Sequence, residues 1–128
     1  MTLREKKTVM VVDDEQTYLD VLYAELAARG YTVVTATSGT AALRLLQKVK
    51  PSIIISDLKM PGMNGFDFLQ EARKLPNSSS VPFLFLTGIE DYRAVQFGKS
   101  MGVKDYLVKP VAPAKLTSTI EKMLQKRQ

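Results

Sequence analysis

Five short apolar runs recur along the chain, each followed by a stretch with helical spacing, and this alternation restricts the fold more than any other feature. Thr8-Val9-Met10-Val11-Val12 reads as a strand ending at Asp13-Asp14. Tyr31 to Ala36 reads as a second strand, and Ile53-Ile54-Ile55-Ser56 as a third that ends in Asp57. Val81 to Leu86 is the fourth, ending at Thr87, and Tyr106-Leu107-Val108 the fifth, ending at Lys109-Pro110. Unbroken β-branched and apolar runs suit strands covered on both faces, as in a parallel sheet.

The intervening stretches carry apolar residues at three- and four-residue steps. Leu19, Leu22, Tyr23 and Leu26 mark an inward helix face, with Gly30 as its C-terminal cap. Ser38 caps a second helix whose apolar face is Ala42, Leu45, Leu46 and Val49, stopped by Pro51. Phe68, Leu69, Ala72 and Leu75 mark a third, closed by Pro76 and the turn residues Asn77 to Ser80. Ala94, Phe97 and Met101 are expected to face inward from a short fourth helix, and Leu116, Ile120 and Met123 from the last. Strands alternating with helices predict an α/β fold with helices on both faces of a five-stranded parallel sheet. The flavodoxin-like doubly wound (βα)5 sandwich, in strand order 2-1-3-4-5, meets those rules and opens a crevice between the first and third strands.

Composition narrows the chemistry. A chain of 128 residues, 45% hydrophobic and 24% charged, fits one domain over residues 1–128. Its ordered core is expected over roughly residues 7–125, with short basic tails. No apolar run reaches the length of a membrane span, and Met1 to Lys7 lacks the apolar core of a signal peptide. The absence of Cys excludes disulfides and thiolate metal sites and makes a cytoplasmic location the expectation. His is absent as well, so there is no imidazole ligand, catalytic triad or phosphohistidine on this chain. The net charge of +5 comes in good part from Arg4, Lys6, Lys7, Lys122, Lys126 and Arg127 near the two ends, read as solvated and not as a nucleic-acid surface.

In the expected strand order, Asp13, Asp14 and Asp57 converge at one edge of the sheet, and Thr87 and Lys109 end neighbouring strands on that same edge. Clustered carboxylates repel unless a cation relieves them. An all-oxygen donor set with open positions suits Mg²⁺. A carboxylate can also act as a phosphoryl acceptor. The roles that follow are metal binding for Asp13 and Asp14, nucleophile for Asp57, phosphate-oxygen donor for Thr87 and charge neutralisation for Lys109. Taken singly, Asp13-Asp14-Glu15 would suit a helix N-terminus, Asp57 a loop cap and Lys109 a surface amine. It is their convergence on one edge that favours a site.

Val11-Val12-Asp13-Asp14-Glu15, the run from Ser56 to Gly65, Leu86-Thr87-Gly88 and Asp105-Tyr106-Leu107-Val108-Lys109-Pro110 together resemble the receiver domain of two-component response regulators. The resemblance covers essentially the whole chain. It implies that Asp57 is phosphorylated by a sensor histidine kinase or a histidine phosphotransfer protein. It further implies Mg²⁺ held by Asp14, Asp57 and the Lys59 backbone carbonyl, with Asp13 holding metal-bound water. Thr87 would be the switch hydroxyl, Tyr106 the aromatic that turns inward behind it and Lys109 the phosphoryl contact, with a cis bond before Pro110. Lys59 and Ile89, two residues beyond Asp57 and Thr87, stand where the family tunes phosphoryl lifetime. The implied output is a changed surface on the fourth helix, fifth strand and last helix, which carries Arg93, Lys99, Lys104 and Lys115. That surface would act on a downstream effector domain or protein, or pair with a second copy on phosphorylation. No membrane or direct nucleic-acid contact is expected of this domain, nor any enzymatic activity beyond its own phosphorylation and dephosphorylation.

Two other readings use the same residues. Asp13-x-Glu15-x-Thr17 is faintly similar to haloacid-dehalogenase-type phosphatases, which need a second Asp where Glu15 stands. The other is a receiver-fold binding module that does not switch. Flavin binding would rest on the fold alone, which does not imply it.

Overall fold

A computed structural model describes residues 7–88 and 90–125. Arg4, Lys6, Ile89, Lys126 and Arg127 lie outside the described residues. The strands are β1 (Thr8–Val12), β2 (Thr32–Ala36), β3 (Ile53–Asp57), β4 (Phe83–Thr87) and β5 (Tyr106–Val108). The helices are α1 (Gln16–Ala28), α2 (Gly39–Leu45), α3 (Gly65–Ala72), α4 (Tyr92–Ser100) and α5 (Pro113–Gln125). All strand pairs are parallel, in the order β2-β1-β3-β4-β5. This is the flavodoxin-like order expected from the alternation of strands and helices.

Alternate residues of the central strands feed two separate cores, because successive side chains point to opposite faces of a sheet. Met10, Val12, Ile54, Phe83 and Phe85 pack with Ala42, Leu46, Phe68 and Ala72 on one face. Val9, Val11, Ile53, Ile55, Leu84 and Leu86 pack with Leu19, Leu22, Leu26, Leu116, Ile120 and Met123 on the other. β3 is buried along its whole length. Its polar end, Ser56-Asp57, is therefore carried rigidly to the sheet edge.

Local chemistry sets the helix starts. Ser38 accepts a hydrogen bond from the Ala41 amide at 3.0 Å, and the Asn64 side chain accepts one from the Asp67 amide at 2.9 Å, so both act as N-caps. Gly65 starts α3 hard against the end of β3: a β-carbon there would lie 2.6 Å from the Asp57 carbonyl oxygen. Among the described residues no helix is long and apolar enough to cross a membrane.

Several expected inward positions differ. Tyr23 is 50% exposed, because the buried line of α1 runs through Leu19, Leu22 and Leu26 and Tyr23 lies to its side. Phe97 and Met101 are 57% and 47% exposed. The buried residue of α4 is Gly98, against which the Tyr106 hydroxyl and the Phe66 ring pack, and this turns Phe97 and Met101 off the contact line. α2 ends at Leu45, well before Pro51, and Leu46 is buried from the following turn. β2 begins at Thr32 and β4 at Phe83, one and two residues later than expected. At β4 the delay follows Pro82, which has no amide to give to a ladder.

Candidate functional site

Strand register brings the polar ends together. Val12 pairs with Ser56, so Asp13 and Asp57 follow side by side, one step past that pair. Asp57 pairs with Leu86 and Thr87 with Val108, which leaves Thr87 and Lys109 one step beyond on the same edge. The Lys109 amide donates to the Thr87 carbonyl at 2.7 Å, extending the β4–β5 ladder to the lysine. The Lys109–Pro110 peptide bond is cis.

The carboxylates of Asp13, Asp14 and Asp57 each place one oxygen within 4.8 Å of the others. Asp13 is almost wholly buried and both its oxygens are engaged. One accepts from the Glu15 amide at 2.9 Å, the other from the Lys109 ammonium at 2.8 Å. The same ammonium lies 3.5 Å from Asp57 and 4.9 Å from the centre of the Tyr18 ring. Asp14 is exposed and Asp57 is buried, so the cluster opens to solvent on the Asp14 side.

Burial, and next the charge of Asp13, push the Asp57 carboxyl up to about 6, with Lys109 acting in the opposite sense. One ammonium does not neutralise three carboxylates. For Lys109 itself burial disfavours the charged form, but its hydrogen bond and attraction to Asp13 outweigh this and raise its pKa. Hard oxygen donors on three sides with an open fourth side fit a divalent cation of the Mg²⁺ type.

Thr87 is buried at the end of β4. Tyr106 stacks on Phe85, with ring centroids 5.9 Å apart, and turns its hydroxyl into the gap against Gly98. There the hydroxyl is buried and has no hydrogen-bond partner among the described residues. Phe85 continues the aromatic column to Phe83, and Phe66 joins Phe85 to Phe97 on α4. The aromatic that ends this column thus lies on β5, two strands from β3 and its Asp57.

Two residues near the site were not expected. Asp91, at the head of α4, is buried. It accepts from the Gly88 amide at 2.7 Å and forms an ion pair with Lys59 at 2.8 Å. The sequence signal was present: an Asp directly before a helical stretch is a preferred N-cap. Tyr18, under Lys109, carries no signal beyond its place in the first turns of α1. The Lys59 side chain reaches away from the carboxylates, toward Asp91.

The sequence matches the response regulator receiver domain over residues 9–121. The chain belongs to that family. A receiver is a signalling domain and not an enzyme in the ordinary sense. Chemotaxis protein CheY4 of Vibrio cholerae is similar in structure, with a TM-score of 0.85 and 35% identity, covering 92% of this chain and 98% of that one. Protein PilH of Pseudomonas aeruginosa is 33% identical over 91% of this chain and 96% of its own length. The probable transcriptional regulator ycf27 of Guillardia theta is 37% identical over 97% of this chain but 48% of its own length. The chain therefore spans about half the length of the ycf27 relatives that it matches. Membership in the family supports a phosphorylation-dependent signalling switch.

Proposed function

We propose that Asp57 accepts a phosphoryl group from a phosphohistidine of a sensor histidine kinase or histidine phosphotransfer protein. The observation that carries this reading is the position of Asp57: its carboxylate is buried between an acidic pair and an ammonium at a sheet edge. A carboxylate oxygen of Asp57 attacks phosphorus, the phosphorus–nitrogen bond breaks and the imidazole leaves as the neutral ring after taking up a proton. The phosphohistidine lies outside this receiver, which has no His.

Asp13, Asp14, Asp57 and the Lys59 carbonyl would hold Mg²⁺, with Asp13 acting through bound water. The ion supplies positive charge for the phosphoryl oxygens when bound. Lys109 is placed to exchange part of its contact with Asp13 and Asp57 for a phosphoryl oxygen. Phosphorylation adds about −1.5 to −2 charge and strong acceptor oxygens next to Thr87. Thr87 moves toward them, Tyr106 stays in the inward position that it already holds against Gly98, and the surface of α4, β5 and α5 changes for a partner or a second copy of the receiver. Transcriptional control is the output supported by the names of the ycf27 relatives. A cytoplasmic location and self-dephosphorylation complete the reading.

The phosphatase alternative is disfavoured by Asp13, whose two oxygens are already committed to Glu15 and Lys109. The test is exposure to acetyl phosphate with Mg²⁺, read by intact mass. Wild type gains one phosphoryl group and Asp57→Asn gains none.

A further inference from the structure

The loop that follows Thr87 is tied down by a residue outside the carboxylate cluster. Asp91 stands at the N-cap position of α4, yet its side chain caps nothing in that helix. It folds back instead. One oxygen accepts from the Gly88 amide at 2.7 Å, while the Asp91 amide donates to the Gly88 carbonyl at 3.1 Å. The two residues thus close a reciprocal turn directly after the switch hydroxyl. The other oxygen of Asp91 pairs at 2.8 Å with the ammonium of Lys59, which comes from the β3–α3 loop two residues past Asp57. Asp91 is 4% exposed, so its charge depends on these partners. Burial opposes ionisation there, and the Lys59 and Gly88 contacts overcome it, lowering the pKa.

We propose that Lys59 and Asp91 form a latch that holds the β4–α4 loop in its resting position and so limits how readily Asp57 is phosphorylated. Asp91 is a positioning residue that acts through Gly88 and Thr87. The Gly88 amide, next in the chain to a hydroxyl that must approach a phosphoryl oxygen, is occupied by Asp91 in the resting state. For Thr87-Gly88 to move toward the phosphoryl group, this turn must yield and the ion pair across the two loops must stretch or part. A bond between the loop after the acceptor strand and the loop after the switch strand resists that motion. The inference rests on the proposed role of Asp57 and Thr87, and names a regulator of that step.

The test labels wild type, Lys59→Met, Asp91→Asn and the double variant with acetyl phosphate and Mg²⁺, with Asp57→Asn as control. Lys59 is largely exposed, so Lys59→Met interrogates the latch without risk to the core. Each single variant is expected to be labelled several-fold faster than wild type, and the double variant no faster than the faster single. Hydrogen exchange at the Gly88 amide in unmodified protein should quicken in both single variants, a readout that needs no phosphodonor. Wild-type labelling and exchange rates in Lys59→Met would overturn the latch, as would multiplicative effects in the double variant. Absence of any label on wild type would instead overturn the Asp57 reading itself, and with it the latch as a regulator of that step.

Discussion

The hydroxyl of Tyr106 rests against the backbone of Gly98, leaving no space for a β-carbon at that residue. A helix packed this closely on an aromatic side chain is sensitive to a single methyl group. The groups that a β-carbon would meet are the hydroxyl end of the Tyr106 side chain and the edge of the Phe66 ring. Gly98→Ala is therefore expected to expel Tyr106, and the phenol pKa, raised by burial, should return toward its ordinary value of about 10. Tyrosinate absorbance on alkaline titration measures this. An unchanged titration would show that α4 shifts instead.

Tyr106→Phe keeps the stacking on Phe85 and removes a buried hydroxyl without a partner. Burying such a group costs on the order of 1–3 kcal/mol, so the Phe variant should be more stable by about 1 kcal/mol in urea denaturation.

Asp57 is held in an environment that its own charge opposes. Its native pKa is about 6, against an ordinary 3.8. Between these values the native state keeps a proton that the unfolded chain has released, so stability falls as pH rises through that window. Above it the cost is fully present. Asp57→Asn, without divalent metal, should be more stable at pH 7 by on the order of 1–2 kcal/mol after allowance for solvent screening. Repeating the denaturation near pH 4 should remove most of the difference.

Lys109 is the sole cation within 4 Å of Asp13 and Asp57 among the described residues. Lys109→Met leaves Asp13 buried without its counter-charge, which should cost about 2–4 kcal/mol in metal-free protein. Millimolar Mg²⁺ should recover part of that loss, as followed by thermal denaturation. A variant as stable as wild type would mean that solvent already screens the cluster.

Much of this architecture was legible in the sequence because burial on both faces leaves a simple mark. The apolar run Ile53-Ile54-Ile55 can be little else than a central strand, and strand order with parallel register then brings Asp13, Asp57, Thr87 and Lys109 to one edge. Less legible were positions where packing depends on a neighbour distant in the chain. Phe97 and Met101 have the spacing of an inward face, but Gly98 takes that place because Tyr106 and Phe66 fill the space against it. Tyr23 likewise has helical spacing and lies to the side of the buried line. Asp91 looks like an ordinary helix cap, and only the fold places Lys59 and Gly88 within its reach.

The central claim is that the carboxylate cluster prepares Asp57 to receive a phosphoryl group. The most direct measurement is intact mass after acetyl phosphate treatment, with and without Mg²⁺, of wild type beside Asp57→Asn and Asp14→Asn. One Mg²⁺-dependent phosphoryl group is expected on wild type, none on Asp57→Asn and strongly reduced labelling on Asp14→Asn. Equal labelling of wild type and Asp57→Asn would contradict the claim.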